Sequence, residues 1–164
     1  MANNITTTAP VTSEVSVNAY ITIDEANTYV NTHFIERSSW TNATDTDKAI
    51  VLNDATIRID RLPFKGSRTV VTQDFEFPRG GDTSPPSAID SACAEIAFAL
   101  IDGKDPDYEY ESLRVSKDKV SGVEITSDTG VFMTHKVAGI PSLSAWNLLI
   151  PYLRDNSSFS VSRA

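Results

Sequence analysis

The chain has 164 residues, 22 of them Asp or Glu against 14 Lys or Arg, for a formal net charge of −8 at pH 7. That length supports one domain with an apolar core of its own, held without disulfides or a structural metal. The acidic balance argues against a protein whose main work is neutralising phosphates, which takes clustered Lys and Arg to displace counterions.

Residues 1–17 are rich in Thr, Ser, Asn and Val and nearly uncharged. They read as an extended N-terminal arm that needs a partner to become ordered. They lack the basic start and apolar stretch of a secretory leader, so the expectation is synthesis in the host cytoplasm. The folded part begins at AYITIDEANTYV. Thr22 and Glu25 have capping-box spacing, and Ala26, Tyr29, Val30 and Phe34 supply an apolar face, which predicts a helix from Asp24 to His33. A second helix is expected over 44–62, capped by Thr44 and Asp47. Its stripe of Ala49, Leu52, Ala55, Ile59 and Leu62 is the clearest in the chain, and Pro63 ends it.

A third helix is expected over 85–102, entered through Pro85 and Pro86 and left through Gly103. Ile89, Ala92, Ile96, Ala97 and Leu100 form its face, and alanines elsewhere around it mark the element neighbours approach closely. The lone Cys93 falls within it and reads as a small buried hydrophobe. Beyond the acidic stretch DGKDPDYEYE, alternation around a Lys/Ser/Gly turn predicts a projecting β-hairpin at 113–127. A last helix is expected over 141–154, with Leu143, Trp146, Leu149 and Ile150 on one side before Pro151 disturbs it. Residues 155–164 alternate polar and apolar and read as a C-terminal arm able to add an edge strand to another subunit. The expected fold class is therefore mainly α: a small helical bundle over 18–154 with a projecting hairpin and two extended arms.

Little in the chain promises chemistry. His33 and His135 lack metal-ligand spacing and read as surface or helix-end histidines. Nucleophile elbows and phosphate-binding glycine loops are absent, and Gly80–Gly81 after Pro78 and Arg79 marks a turn. The acidic stretch 102–111 lacks the central glycine and terminal bidentate glutamate of a calcium loop. No metal, cofactor or catalytic residue is expected, and no membrane span.

The stretch RLPFKGSRTVVTQDFEFPRGG at 61–81 stands out. It sets Arg61, Lys65, Arg68 and Arg79 among Phe64, Phe75 and Phe77 in an otherwise acidic chain. One reading is architectural: Arg61 and Lys65 pair or snorkel at a helix end, the phenylalanines pin the loop to the core, and Arg68 and Arg79 are the exposed pair. The other is a single-strand-binding surface on which bases stack on rings and phosphates follow the cations. Asp74 and Glu76 reduce that charge.

The order of these segments carries a resemblance. AYITIDEANTYV is followed by W-x-x-A-T-D-x-D-K-x-x-x-L-x-x-A-T-x-x-I-D from Trp40, then by FKGSR, by Q-D-F-E-F-P-R-G-G, by the Ala-rich helix, and finally by NLLIPYLR. The pattern, over about 19–103 and near the C-terminus, resembles the tailed-phage head-tail adaptor, or head-completion, group. Some members of that group are labelled DnaT-like single-stranded-DNA-binding proteins. The resemblance implies a non-enzymatic virion protein forming a dodecameric ring under the portal and continuing the DNA channel toward the tail. Its implied partners are the portal protein, neighbouring copies of itself, tail or nozzle proteins, and genomic double-stranded DNA passing without sequence-specific contact. An acidic ring suits such a channel, since DNA slides past it without sticking. Within this reading Arg68, Phe77 and Arg79 face a neighbouring subunit. Phe159, Val161 and Arg163 reach the portal or the next tail component. The alternative is a single-stranded-DNA-binding replication accessory of the DnaT-like kind.

Overall fold

The computed structural model describes residues 16–107 and 134–154. The expected hairpin at 113–127, residues 1–15 of the N-terminal arm, and the C-terminal arm with Phe159, Val161 and Arg163 lie outside those residues. Within them the chain is mainly helical. It runs through α1 (Ile23–His33), α2 (Ser38–Asn42), α3 (Asp45–Asp60), α4 (Ser87–Ile101), α5 (Thr134–Val137), α6 (Leu143–Leu149) and a closing 3-10 turn (Ile150–Tyr152). Among the described residues, β pairing is limited to two isolated antiparallel bridges, Phe64 with Leu153 and Arg68 with Arg79.

Both expected capping boxes form. The Thr22 hydroxyl accepts the amide of Glu25, whose carboxylate accepts the Thr22 amide, and Thr44 and Asp47 repeat the arrangement at α3. Each box satisfies amides that a helix start leaves without a partner. Gly103 ends α4 in the left-handed region at φ 81°, where a side chain would strain the backbone.

The core is organised around α4, which packs against α3, α6, α1 and α2. Ile89, Ala92, Cys93, Ala94, Ile96 and Ala97 are wholly buried along it. Its alanines let helix axes approach, while each isoleucine contributes about 1.5–3 kcal/mol by leaving water. From α3 come Leu52, Ala55 and Ile59, and from α1 Ala26 and Val30, all at the positions their spacing predicts. Ahead of α1 the chain is tied along α3. The Asn53 carboxamide accepts from the Asn18 amide at 2.7 Å and donates to the Ser16 carbonyl at 3.1 Å, and the Thr56 hydroxyl accepts from the Tyr20 amide at 3.2 Å.

Three features depart from the sequence pattern. First, α2 is an unforeseen helix of five residues, too short for periodicity to reveal. It exists because Trp40 is buried against α4, its indole donating to Asn27 Oδ1 at 2.8 Å with the Lys48 ammonium 5.5 Å from the ring centre. Second, α6 presents Ala145 and Leu149 inward and leaves the expected Leu143 and Ile150 about half exposed. The rotation follows from Ser142, whose hydroxyl caps Ala145 and donates to the Glu95 carboxylate of α4 at 3.1 Å. Third, His135, expected at the surface or a helix end, lies on the short α5 but is buried. Burial first, then the Lys136 charge, lowers its pKa below the usual histidine value.

Candidate functional site

The segment between α3 and α4 is the largest irregular stretch in the described fold, and its shape is specified residue by residue. Pro63 denies the helix another turn. The chain then pairs with residues 152–154: the Lys65 amide donates to the Tyr152 carbonyl at 2.8 Å and the Arg154 amide to the Pro63 carbonyl at 2.9 Å. Phe64 and Phe77 are buried edge to face, with centroids 4.7 Å apart, and Phe77 meets Tyr152 the same way at 5.8 Å. Gly66 and Gly80 hold positive φ of 72° and 66°. They turn the chain so that 67–69 lies beside 78–80, with the Thr69 amide donating to the Pro78 carbonyl at 3.1 Å and the Gly80 amide to the Ser67 carbonyl at 3.0 Å.

Polar side chains brace this loop from within. The Gln73 amide nitrogen donates to the Phe75 carbonyl at 2.7 Å and the Pro78 carbonyl at 3.0 Å, while its oxygen accepts the Val70 amide at 3.0 Å. Asp60 at the end of α3 accepts from the Tyr20 hydroxyl and, at 3.2 Å, from the Glu76 amide, and the Tyr20 oxygen accepts the Phe77 amide at 3.3 Å. Burial raises both ionisable groups of this pair, Tyr20 and Asp60, above their ordinary values.

Glu76 is the electrostatic centre. One carboxylate oxygen accepts from Arg68, whose Nε lies at 3.0 Å, and the other accepts from Arg79. Burial alone would raise the carboxyl, but hydrogen bonding and charge from Arg68, then Arg79, outweigh it and hold the group below the usual carboxylate range. Arg79 donates in addition to the carbonyls of Lys65 at 2.9 Å, Gly66 at 2.5 Å and Glu76 at 3.2 Å, and its guanidinium sits about 6 Å from the Phe64 and Phe77 ring centres.

This placement corrects the expectation that Arg79 is exposed beside Arg68, while Phe77 is pinned to the core as the architectural reading expects. Arg79 retains only 10% of its side-chain exposure and Phe77 4%, because both are used by their own chain. Arg68, at 39%, is the one of the three that reaches the surface, with its charge already matched by Glu76. What the loop does present is apolar: Val70 and Val71 are 54% and 89% exposed at its tip. A Val-Val pair between threonines was the available signal.

At the loop's base lies a cleft of about 310 Å³ between Lys65, Gly66, Gly80, Pro86, Pro151 and Tyr152. Elsewhere the site holds little reactive chemistry. Burial pushes the Cys93 thiol up to about 12, so no thiolate exists near neutral pH. Among the described residues, no group of three or more His, Cys, Asp or Glu is placed to hold a metal, and no helix is long and apolar enough to cross a membrane.

Residues 6–164 match the sequence model of the family described as "Putative DnaT-like ssDNA binding protein". No curated protein and no solved structure matches the chain.

Proposed function

We propose that this chain, which belongs to the DnaT-like ssDNA binding protein family, is a non-catalytic assembly component of a tailed-phage virion. In this reading it is a head-to-tail adaptor: a ring under the portal that extends the DNA channel and gives tail components a docking platform. The observation that carries the assembly role is the internal engagement of the loop's two arginines, since Arg68 and Arg79 both direct guanidinium donors to Glu76 and to carbonyls of the same loop. A phosphate-binding surface keeps its cations available to replace counterions. Here they rigidify a projection whose exposed tip is Val70 and Val71, as a protein-contact element requires. The virion setting is supported by the order and spacing of the motifs between about 19 and 103, and by a net charge of −8, suited to a channel through which DNA slides.

The second reading is single-stranded DNA binding in replication, and the family match is the observation that favours it. If it holds, the strand is expected to follow the exposed Lys65 and Arg154 rather than the loop tip, since Lys65 lines the cleft with Tyr152 and Arg154 follows two residues later. Sedimentation separates the two readings. The protein is run with purified portal, and separately with a labelled oligonucleotide at about 0.15 M salt, where non-specific phosphate contacts are already weakened. Co-sedimentation with portal and none with the oligonucleotide is the expected result. Tight, salt-sensitive oligonucleotide binding without portal affinity overturns the adaptor reading in favour of the second.

A further inference from the structure

The loop carries two surfaces of complementary character at opposite ends. Its tip combines the exposed valines 70 and 71 with the exposed carboxylate of Asp74, and Gln73 holds the tip in one shape by its three internal hydrogen bonds. Its base is the cleft of about 310 Å³, lined by Pro86, Pro151 and Tyr152 together with the charged Lys65, Arg79 and Asp82. Lys65 stands at the cleft, exposed, with one long contact from its ammonium to the Pro151 carbonyl at 3.5 Å. Gly66 and Gly80 add no side chains there, and a Cβ built on either meets nothing within 4 Å, so the cleft is open on that side.

We infer that the occupant of the cleft is a second copy of this chain, whose loop tip inserts Val70 and Val71 against Pro86, Pro151 and Tyr152 and brings Asp74 to Lys65. The inference rests on the ring reading above and names the contact that would propagate it. A tip and a cleft on different parts of one chain make a heterologous contact, which adds subunits in one direction and closes into a ring when the rotation permits. The match is apolar, with Asp74 set against Lys65 and away from Asp82, the acidic residue of the cleft, and a charge placed in this way sets register and excludes wrong partners. Because Gln73 and Glu76 have already ordered the tip, little conformational freedom remains to be lost on docking.

The test is a disulfide trap between two differently substituted full-length chains. Cys93 is buried, so it does not compete. Chains carrying Val71→Cys and Pro151→Cys are mixed at high protein concentration under mild oxidation, with Thr28→Cys on the exposed outer side of α1 as control for either partner. Disulfides form only where the backbones come within bonding geometry. The expected result is a mixed dimer from Val71→Cys with Pro151→Cys, well above either control pairing. Equal trapping in all pairings, or none, overturns the inference.

Charge reversal gives an independent readout, since Lys65 and Asp74 are both exposed and tolerate substitution without unfolding. Lys65→Asp and Asp74→Lys are each expected to abolish the trap, and mixing the two so that the reversed charges meet is expected to restore it. Two losses without rescue also overturn the inference. Failure of the trap in a protein that still co-sediments with portal removes this contact and leaves the ring reading standing. Failure of co-sedimentation together with oligonucleotide binding removes the reading itself.

Discussion

Glu76 accepts hydrogen bonds from Arg68 and Arg79, two of the cations of a basic loop. In the sequence it only dilutes the charge of Arg61, Lys65, Arg68 and Arg79; in the fold it engages two of those four. Its folded pKa is depressed, so its contribution to stability is present above the unfolded value of about 4.3 and fades as pH falls through the lower folded value. Glu76→Gln is therefore expected to cost about 1–3 kcal/mol near neutral pH and to flatten the acid limb of a stability-against-pH curve measured by urea unfolding. A limb as steep as that of the parent protein would refute this role. Asp60 acts with the opposite sign. Burial, its largest influence, raises its folded pKa, so its ionisation lowers stability as pH climbs from the unfolded value through the folded one. Arg79 is expected to behave as a core residue. Its replacement by Ala leaves Glu76 with Arg68 alone and strands the Lys65 and Gly66 carbonyls, at about 2–4 kcal/mol, read from the denaturation midpoint at constant m-value. An assembly defect in Arg79→Glu is accordingly attributable to folding before it is attributed to contact.

Among the elements, the helix starts are the most local features. Thr22→Ala and Thr44→Ala each remove a cap and are expected to cost about 1 kcal/mol. The two boxes open different helices without shared partners, so the double variant is expected to cost their sum. Substantial non-additivity in the double-mutant cycle would show instead that the ends of α1 and α3 are coupled. Longer-range order comes from Arg58 of α3, itself 7% exposed. Its guanidinium donates to Asp54 at 2.8 Å, to Asp105 at 3.3 Å and to the Gly139 carbonyl at 2.8 Å, and it stands 3.5 Å from Asp107. One side chain thus joins α3 to chain segments on both sides of 108–133. Arg58→Ala is expected to cost about 1–3 kcal/mol, the partners being partly solvated. Limited proteolysis should then cut first near 105–107 and 139, and cleavage elsewhere would argue against this joining role.

For the whole molecule the decisive element is α4, which every other long helix uses as its wall. Ile96→Ala removes a wholly buried side chain from the middle of it and is expected to cost about 2–5 kcal/mol, while Ala97→Leu is expected to cost about 1–3 kcal/mol by overpacking. If thermal unfolding tolerated both, the description of α4 as the packed centre would fail. The most exposed of the large apolar residues, Val71 at the loop tip and Ile35 after α1, lie outside the helices.

Elements with local causes are legible in the order of the residues. Capping boxes act over three residues, a proline stops a helix where it stands, and an apolar stripe at three- and four-residue steps faces inward wherever the helix packs. These rules located α1, α3 and α4, identified Ala49, Leu52, Ala55 and Ile59 as core, and marked Cys93 as inert. Tertiary structure alone decided the rest, because the causes are distant in the chain. Trp40 makes α2 a helix by burying itself against α4. Ser142 turns α6 toward Glu95, 47 residues away. Tyr20 and Asp60, 40 residues apart, hold the loop at Glu76 and Phe77. A charge pattern records which cations a loop contains, but which of them remain free for a partner depends on where the opposing carboxylate and carbonyls fall once the chain has closed around them.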